Sequence, residues 1–205
     1  DFGDLSASKW GVSQSSDPTR ICFAGGSEPG LSTDIEFITI ATAGNVTDFG
    51  DLTVATGDAS SRSNSKRSVI QGQQSPSNAT SLDVFTIQTT GNATDFGDTI
   101  TTFHQCFGVS NGHGGIPQTD QFPQRSSVTY MPGSGRALAM CGTTPTSSRI
   151  DVVFIPTAGA ASDFGDTLAA TRYVSGASSK TRAMYAGGST PTLTGTIGQT
   201  LFSSY

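Results

Sequence analysis

The residues of this chain whose types and spacing could do chemistry are carboxylates. Asp-Phe-Gly-Asp occurs four times, at Asp1–Asp4, Asp48–Asp51, Asp95–Asp98 and Asp163–Asp166. Two acids three residues apart, repeated four times, invite a calcium reading, because a hard cation collects several oxygen ligands from one loop. A structural reading competes with it. One Asp of each copy caps a turn by accepting backbone N–H groups, Phe2, Phe49, Phe96 and Phe164 anchor contacts between units, and the glycine permits a tight backbone. The second Asp of each copy, Asp4, Asp51, Asp98 and Asp166, then has a partner available in an arginine that recurs in step with it: Arg20, Arg67, Arg136 and Arg182. The sequence favours this structural role, so the expectation is no cofactor, with calcium as the alternative.

Other chemistry finds little to build on. His104 and His113 are nine residues apart with no clear third ligand for zinc. No serine sits in a G-x-S-x-G elbow. Cys22, Cys106 and Cys141 have no C-x-x-C spacing and allow at most one disulfide; a Cys106–Cys141 bridge and two free thiols are both open. The chain therefore reads as a non-enzyme. Its net charge of −5 and its lack of a basic stripe argue against nucleic acid as a partner. No apolar run is long enough to span a bilayer. The sequons at Asn45, Asn78 and Asn92 are glycan acceptors in a eukaryotic secretory pathway or, more plainly, a repeated turn.

The elements that position these residues are short strands. The 205 residues are 34% hydrophobic and 13% charged, rich in Ser, Thr and Gly, with β-branched and aromatic residues in brief runs. The first three tetrapeptides lie 47 residues apart and the fourth follows after 68. Between them, an Arg-led apolar run ends in small residues and a proline ("RICFAGGSEP", "RSVIQGQQSP", "RALAMCGTTP", "RAMYAGGSTP"). An alternating segment then leads into the next tetrapeptide ("IEFITIATAGNVT", "LDVFTIQTTGNAT", "IDVVFIPTAGAAS"). Each unit holds about four candidate strands, the length of a propeller blade. The expected fold is all-β: one domain over 1–205, a kelch-like β-propeller of four blades of four antiparallel strands. Its units are approximately 5–51, 52–98, 99–166 and 167–205, the last completed by the N-terminal strand 1–5. The rival is an arc of a larger propeller.

The third unit carries about 22 extra residues, placed by sequence alignment at 104–126. A single excursion from a regular repeat maps to a loop on one face, where propellers bind. His104, Phe107, Asn111, His113, Gln118 and Phe122 are accordingly the candidate recognition residues, weighed equally against a loop that packs over a blade.

The "AGGS" strand ends resemble the double glycine of kelch blades. The Asp-rich tetrapeptide bears a partial resemblance to the calcium loops of integrin-type propellers. "TAGNVTDFGDLTVA" and "TTGNATDFGDT", with "AGGS" strands between, resemble tandem repeats of virion structural and tail-fibre-like proteins of bacteriophages, especially marine cyanophages. That resemblance covers nearly the whole chain. It implies an extracellular, non-enzymatic virion component, such as a tail fibre, appendage or capsid decoration, whose partners are other virion subunits and, by way of the insertion, a host-surface glycan. The alternative is a carbohydrate-binding module of an extracellular adhesin or filament.

Overall fold

A computed structural model describes residues 1–27, 29–64, 66–74, 80–102, 106–111, 135–142, 146–179, 181–190 and 192–202. The protein is all-β and antiparallel. The short apolar runs and alternating segments become strands because their β-branched and aromatic side chains fit a pleated surface, and Gly, Asn, Ser and Thr occupy the turns.

Four similar units follow one another along the chain. In the first, β1 (Ser13–Ser16), β2 (Arg20–Ala24), β3 (Ser32–Thr39) and the start of β4 (Thr47–Ser63) form an up-and-down sheet. The far end of β4 begins the second unit and pairs with β5 (Arg67–Gln74), followed by β6 (Ser81–Thr86) and β7 (Thr94–Asp98). Because β4 runs unbroken for 17 residues, the first two units share one seven-stranded sheet. The third unit is β8 (Phe107–Ser110), β9 (Arg136–Met140), β10 (Arg149–Phe154) and β11 (Ser162–Asp166). The fourth contains β12 (Ser175–Ser178) and β13 (Arg182–Ala186), then a small ribbon of β14 (Ser189–Thr190) and β15 (Thr192–Leu193), and last β16 (Ile197–Leu201), which pairs with β13.

The units share one register. The repeated Arg opens the second strand and faces the end of the third: Arg20 opposite Thr39, Arg67 opposite Thr86, Arg136 opposite Phe154 and Arg182 opposite Leu201. The outer strand carries the same bulge each time, at Ile35/Glu36, Leu82/Asp83 and Ile150/Asp151 of the third strand. Glu36 faces Asp48 and Ile35 faces Gly50, which leaves Phe49 as the extra residue. Phe96 and Phe164 are skipped in the same way. The tetrapeptide is thus a repeated β-bulge, a device that bends a strand and re-aims one side chain. Its glycine has φ between +129° and +152° in all four copies, a region that disfavours any Cβ.

The bulged Phe is re-aimed toward the next unit, and the cores lie between units. Cys22, Ile35 and Phe49 of the first unit pack with Ile70, Phe85, Ile87 and Ala93 of the second. Val69, Leu82 and Phe96 pack with Ala137, Val153 and Ile155 of the third. Leu138, Ile150 and Phe164 pack with Ala183, Tyr185 and Phe202 of the fourth.

Two expectations about the units change. The fourth unit has three strands in its main sheet, and Asp1–Asp4 is not assigned to β16; instead it is bonded to the first unit, with Phe2 43% exposed. The extra residues of the third unit also move. Phe107–Ser110 is a regular first strand, so the excursion occupies 112–134, between β8 and β9. Alignment by apolar pattern missed this because "FGVS" is too short to announce itself.

Candidate functional site

Three of the four tetrapeptides bond through their backbone to the turn of the unit that follows them. The carbonyls of Phe2 and Asp4 accept from the Gly44 and Val46 N–H groups at 2.7 and 3.0 Å; Phe49 and Asp51 accept from Gly91 and Ala93 at 2.8 and 2.7 Å; Phe96 and Asp98 accept from Gly159 and Ala161 at 2.8 and 2.6 Å. A Cβ at Gly50 would lie 2.5 Å from the Gly91 carbonyl oxygen, so the glycine is required for this approach. The Asn45 and Asn92 side chains accept the Asp4 and Asp51 N–H groups at 3.0 and 3.1 Å, which gives two of the sequon asparagines a place in the tie. Asn78 lies outside the described residues.

The carboxylates have local duties. Asp95 and Asp163 accept the N–H of the glycine two residues on, each at 3.0 Å. Asp51, Asp98 and Asp166 accept the hydroxyls of Thr33, Thr80 and Ser148 at 3.0, 2.8 and 2.8 Å. The expected pairing of the second Asp with the repeated Arg is replaced by a different arrangement. Arg20 Nη1 donates to the Ile87 and Gln88 carbonyls, Arg67 Nη1 to the Pro156 carbonyl at 3.0 Å, and Arg136 Nη1 to the Phe202 carbonyl. Each of these three arginines therefore clamps the next unit. The physical reason is register: Arg stands opposite the third strand's far end, while the second Asp stands opposite its beginning. Arg182 Nη1 instead meets Gln199 Oε1 within its own unit, at 3.4 Å. Among the described residues, no group of three His, Cys, Asp or Glu side chains comes together as a metal cluster.

Sequence reasoning missed a set of buried groups that anchor the links between units. Asp83 takes the Thr53 N–H at 2.8 Å and its hydroxyl at 2.6 Å; Asp151 takes the Ile100 N–H at 3.1 Å. Burial raises both carboxyls above their ordinary range, against the pull of these hydrogen bonds. In the first unit Glu36 is the buried acid, and the ammonium of Lys9 sits 3.6 Å from it and 2.6 Å from Asp34. The Lys9 hydrogen bond holds the Asp34 carboxyl below its usual value. In the fourth unit the position is Gly198, and its cross-strand partner Tyr185 supplies the acceptor: the Leu168 N–H donates to the Tyr185 hydroxyl at 3.0 Å. The signal was present in "IEFITI", "LDVFTI" and "IDVVFI", where the acid always follows the first apolar residue.

A second missed set caps the turn before each arginine. Asp17, Asn64, Asn111 and Ser179 accept the Arg20, Arg67, Arg136 and Arg182 N–H groups at 2.8, 2.8, 3.1 and 3.1 Å. Burial alone would raise the Asp17 carboxyl, but hydrogen bonds from Gln88, Thr19 and Arg20 outweigh it and hold it low. The cap and its arginine are three residues apart in the other units and 25 apart in the third, which fixes where the excursion enters.

Of the candidate recognition residues, His104, His113, Gln118 and Phe122 lie outside the described residues. Phe107 and Asn111 belong to the framework. Asn111 is the buried cap just described, and Phe107 packs beside the last core, against Gly176 of the neighbouring unit. The Cys106–Cys141 bridge is not formed. Both are thiols with separate neighbours: Cys106 Sγ lies 3.8 Å from Arg62 Nη2, and Cys141 Sγ lies 3.9 Å from the Thr167 hydroxyl. Cys141 keeps the left-handed backbone of the glycines it replaces, with φ +59° against +68° at Gly25 and +72° at Gly187.

The four first strands line one cavity of about 580 Å³. Ser16, Ser63, Ser110 and Ser178 hold the same register, opposite Ile21, Ser68, Ala137 and Ala183, and all four line it. Serine hydroxyls tie these strands: that of Ser61 donates to the Gln14 carbonyl, that of Ser110 to the Ser63 carbonyl, and that of Ser178 to the Ser110 carbonyl. Arg62 also lines the cavity, buried to 2% exposure, with Nη2 on Gln71 Oε1 at 2.8 Å and Nε on the Leu138 carbonyl at 3.3 Å. Burial lowers its affinity for the proton. The excursion leaves from Asn111, beside Ser110 on this wall.

No protein-family model matches the chain, and no curated protein matches it in sequence. The geometry therefore stands by itself. The backbone carbonyls of three tetrapeptides and the side chains of three arginines join unit to unit, while the tetrapeptide carboxylates and the turn caps hold each unit's own turns. The hydroxyl-lined cavity lies beside Ser110 and Asn111, where the extra residues of the third unit begin.

Proposed function

We propose that the four units are blades of a four-bladed, kelch-like β-propeller, and that the protein is a non-enzymatic structural component of a virion, a tail fibre, appendage or capsid decoration. In this reading it stands outside the cell, docks on other particle subunits and contacts a host-surface glycan. The observation that carries the reading is that repeated positions bond across units, as the Phe49 and Asp51 carbonyls do to Gly91 and Ala93 and Arg67 does to the Pro156 carbonyl. Such a molecule spends its repeated chemistry on joining its units, and its long departure from the repeat is the insertion in the third. The likeness of the "DFGD" repeats to phage virion proteins supplies the setting.

The test is deletion of 112–134, with Asn111 joined to Gly135 by a short turn like that of the sibling units. Loss of host-cell or glycan-array binding with particle incorporation intact supports the attachment role. Loss of incorporation alone supports a purely architectural subunit, and detection of a turnover activity refutes the reading. The alternative, a carbohydrate-binding module of an adhesin or filament, draws on the serine-lined cavity. It predicts glycan binding that survives the deletion and falls when Ser63 and Ser110 are replaced by Ala.

A further inference from the structure

The third unit departs from its siblings at a second place, the corner where the link after β7 meets the start of β10. Hydrogen bonds fix the alignment of the links. The N–H groups of Thr53, Ile100 and Leu168 donate to Asp83, Asp151 and Tyr185, so Thr101 and Thr102 stand where the other links carry Val54 and Ala55 or Ala169 and Ala170. Arg149 faces Asp166 as Ser81 faces Asp98 and Asp34 faces Asp51. Two hydroxyls thus replace apolar link residues, and a guanidinium replaces Ser or Asp, in the same corner of one unit.

These residues line one cavity. Thr101, Thr102, Ser147, Arg149, Asp163 and Asp166 surround about 290 Å³, close to the small end of the roughly 300–1,000 Å³ range of ligand sites. The charged groups are anchored. Asp151, 1% exposed, accepts Arg149 Nε at 2.9 Å and the Ile100 N–H at 3.1 Å, so one buried carboxylate fixes both the guanidinium and the link. Asp163 Oδ1 takes the Gly165 N–H at 3.0 Å, and Asp166 Oδ1 takes the Ser148 hydroxyl at 2.8 Å.

Hydrogen-bonding capacity is left over, and it points to a ligand. Asp166 Oδ2 and the Thr101 and Thr102 hydroxyls have no partner among the described residues. The Ser147 hydroxyl accepts the Arg149 N–H at 3.0 Å and keeps its own proton to donate, and Asp163 Oδ2 meets Arg149 Nη2 at 3.5 Å. The charges select the class of ligand. Two carboxylates repel an anion and the guanidinium opposes a bare cation, whereas a neutral molecule rich in hydroxyls donates to the carboxylates and accepts from the guanidinium and the threonines. We infer that this corner is a saccharide site that takes one neutral sugar ring through Asp163, Asp166, Arg149, Thr101 and Thr102. It precedes β8, whereas the excursion follows it, and it shares no residue with the serine-lined cavity. The inference therefore goes beyond the attachment reading above and can fail without it.

The experiment is amide NMR of the full chain titrated with methyl α-mannoside, methyl β-galactoside and N-acetylglucosamine, with inorganic phosphate and calcium chloride in parallel. The expected result is a saturable shift of the Thr101, Thr102 and Arg149 amides with at least one sugar and none with phosphate or calcium. Thr101→Val with Thr102→Ala installs the Val54–Ala55 link of the sibling unit, which that unit's fold already accommodates. Losing two hydrogen bonds should weaken the sugar about tenfold or more. Asp166→Asn keeps an oxygen for Ser148 and should weaken it too. Undiminished affinity in the double variant, a response to phosphate or calcium alone, or no response to any of the sugars overturns the inference. Deletion of 112–134 should leave the shifts in place. Shifts that vanish with the deletion, or that fall on Ser63 and Ser110 instead, overturn this site and leave the attachment or adhesin reading standing.

Discussion

Tyr185 and Gly198 are cross-strand partners in the fourth unit, as Ala139 and Asp151 are in the third. A Cβ at Gly198 would overlap the Tyr185 ring, so the large residue and the missing side chain are one compensated change. Gly198→Asp alone drives a carboxylate into the Tyr185 ring, an overpacking cost of about 1–3 kcal/mol. Tyr185→Ala alone removes a buried aromatic and orphans the Leu168 N–H, costing about 3–5 kcal/mol. Together they rebuild the arrangement of the third unit, in which an acid opposite alanine receives the link's N–H at 3.1 Å. Contacting residues couple by about 0.5–3 kcal/mol, and relief of both a clash and a lost acceptor belongs at the upper end, about 2 kcal/mol or more. Gly198 is not in the left-handed region, so its backbone admits Asp. Urea unfolding of the wild type, the two single variants and the double variant measures the coupling, provided the slopes agree. Additive single-variant losses would refute the equivalence of the units at this position.

Other consequences are simpler to test. Phe96→Ala empties the second interface and costs about 3–5 kcal/mol by urea unfolding, and Arg67→Ala removes one clamp to a carbonyl for about 0.5–1.5 kcal/mol. The raised Asp83 carboxyl binds its proton more tightly folded than unfolded. Its penalty is therefore full above the folded pKa and is relieved as pH falls toward the unfolded value. Asp83→Asn, which leaves an oxygen for the Thr53 N–H, should reduce that gain as pH is lowered from neutral toward the ordinary carboxylate range in parallel urea titrations; an unchanged pH profile sinks the assignment. Burial pushes the Cys22 thiol up to about 12, so alkylation of the native protein at pH 8 should spare it and denaturation should release it. An intact mass two hydrogens below the sequence value would instead reveal a disulfide.

Much of the architecture was legible because propensity and period agree. The Arg-led runs are β2, β5, β9 and β13, the alternating segments are β3, β6 and β10, and the repeat spacing gives the unit boundaries. The tetrapeptide's meaning was half legible. Phe as anchor and Gly as a close-approach residue follow from residue type, but the bulge that aims Phe49 is a property of pairing. Arg and Asp recur in step, yet co-recurrence does not say which ends of adjacent strands face each other. The buried acids were hidden for a different reason: Asp83 inside an alternating run reads as its solvent face, and only the link folding back over it makes it an interior acceptor. "FGVS" became β8 because its neighbours required a first strand there, against weak local signal.

The central claim, that the tetrapeptides at Asp1–Asp4, Asp48–Asp51 and Asp95–Asp98 are bonded to the turn of the unit that follows, is tested most directly by amide hydrogen exchange at six positions: Gly44, Val46, Gly91, Ala93, Gly159 and Ala161. If their N–H groups are held by the Phe and Asp carbonyls of the tetrapeptides, all six exchange slowly, although Gly44, Gly91 and Gly159 are exposed. Exchange at the rate of free turn amides at these positions, with the strand amides protected, would contradict it.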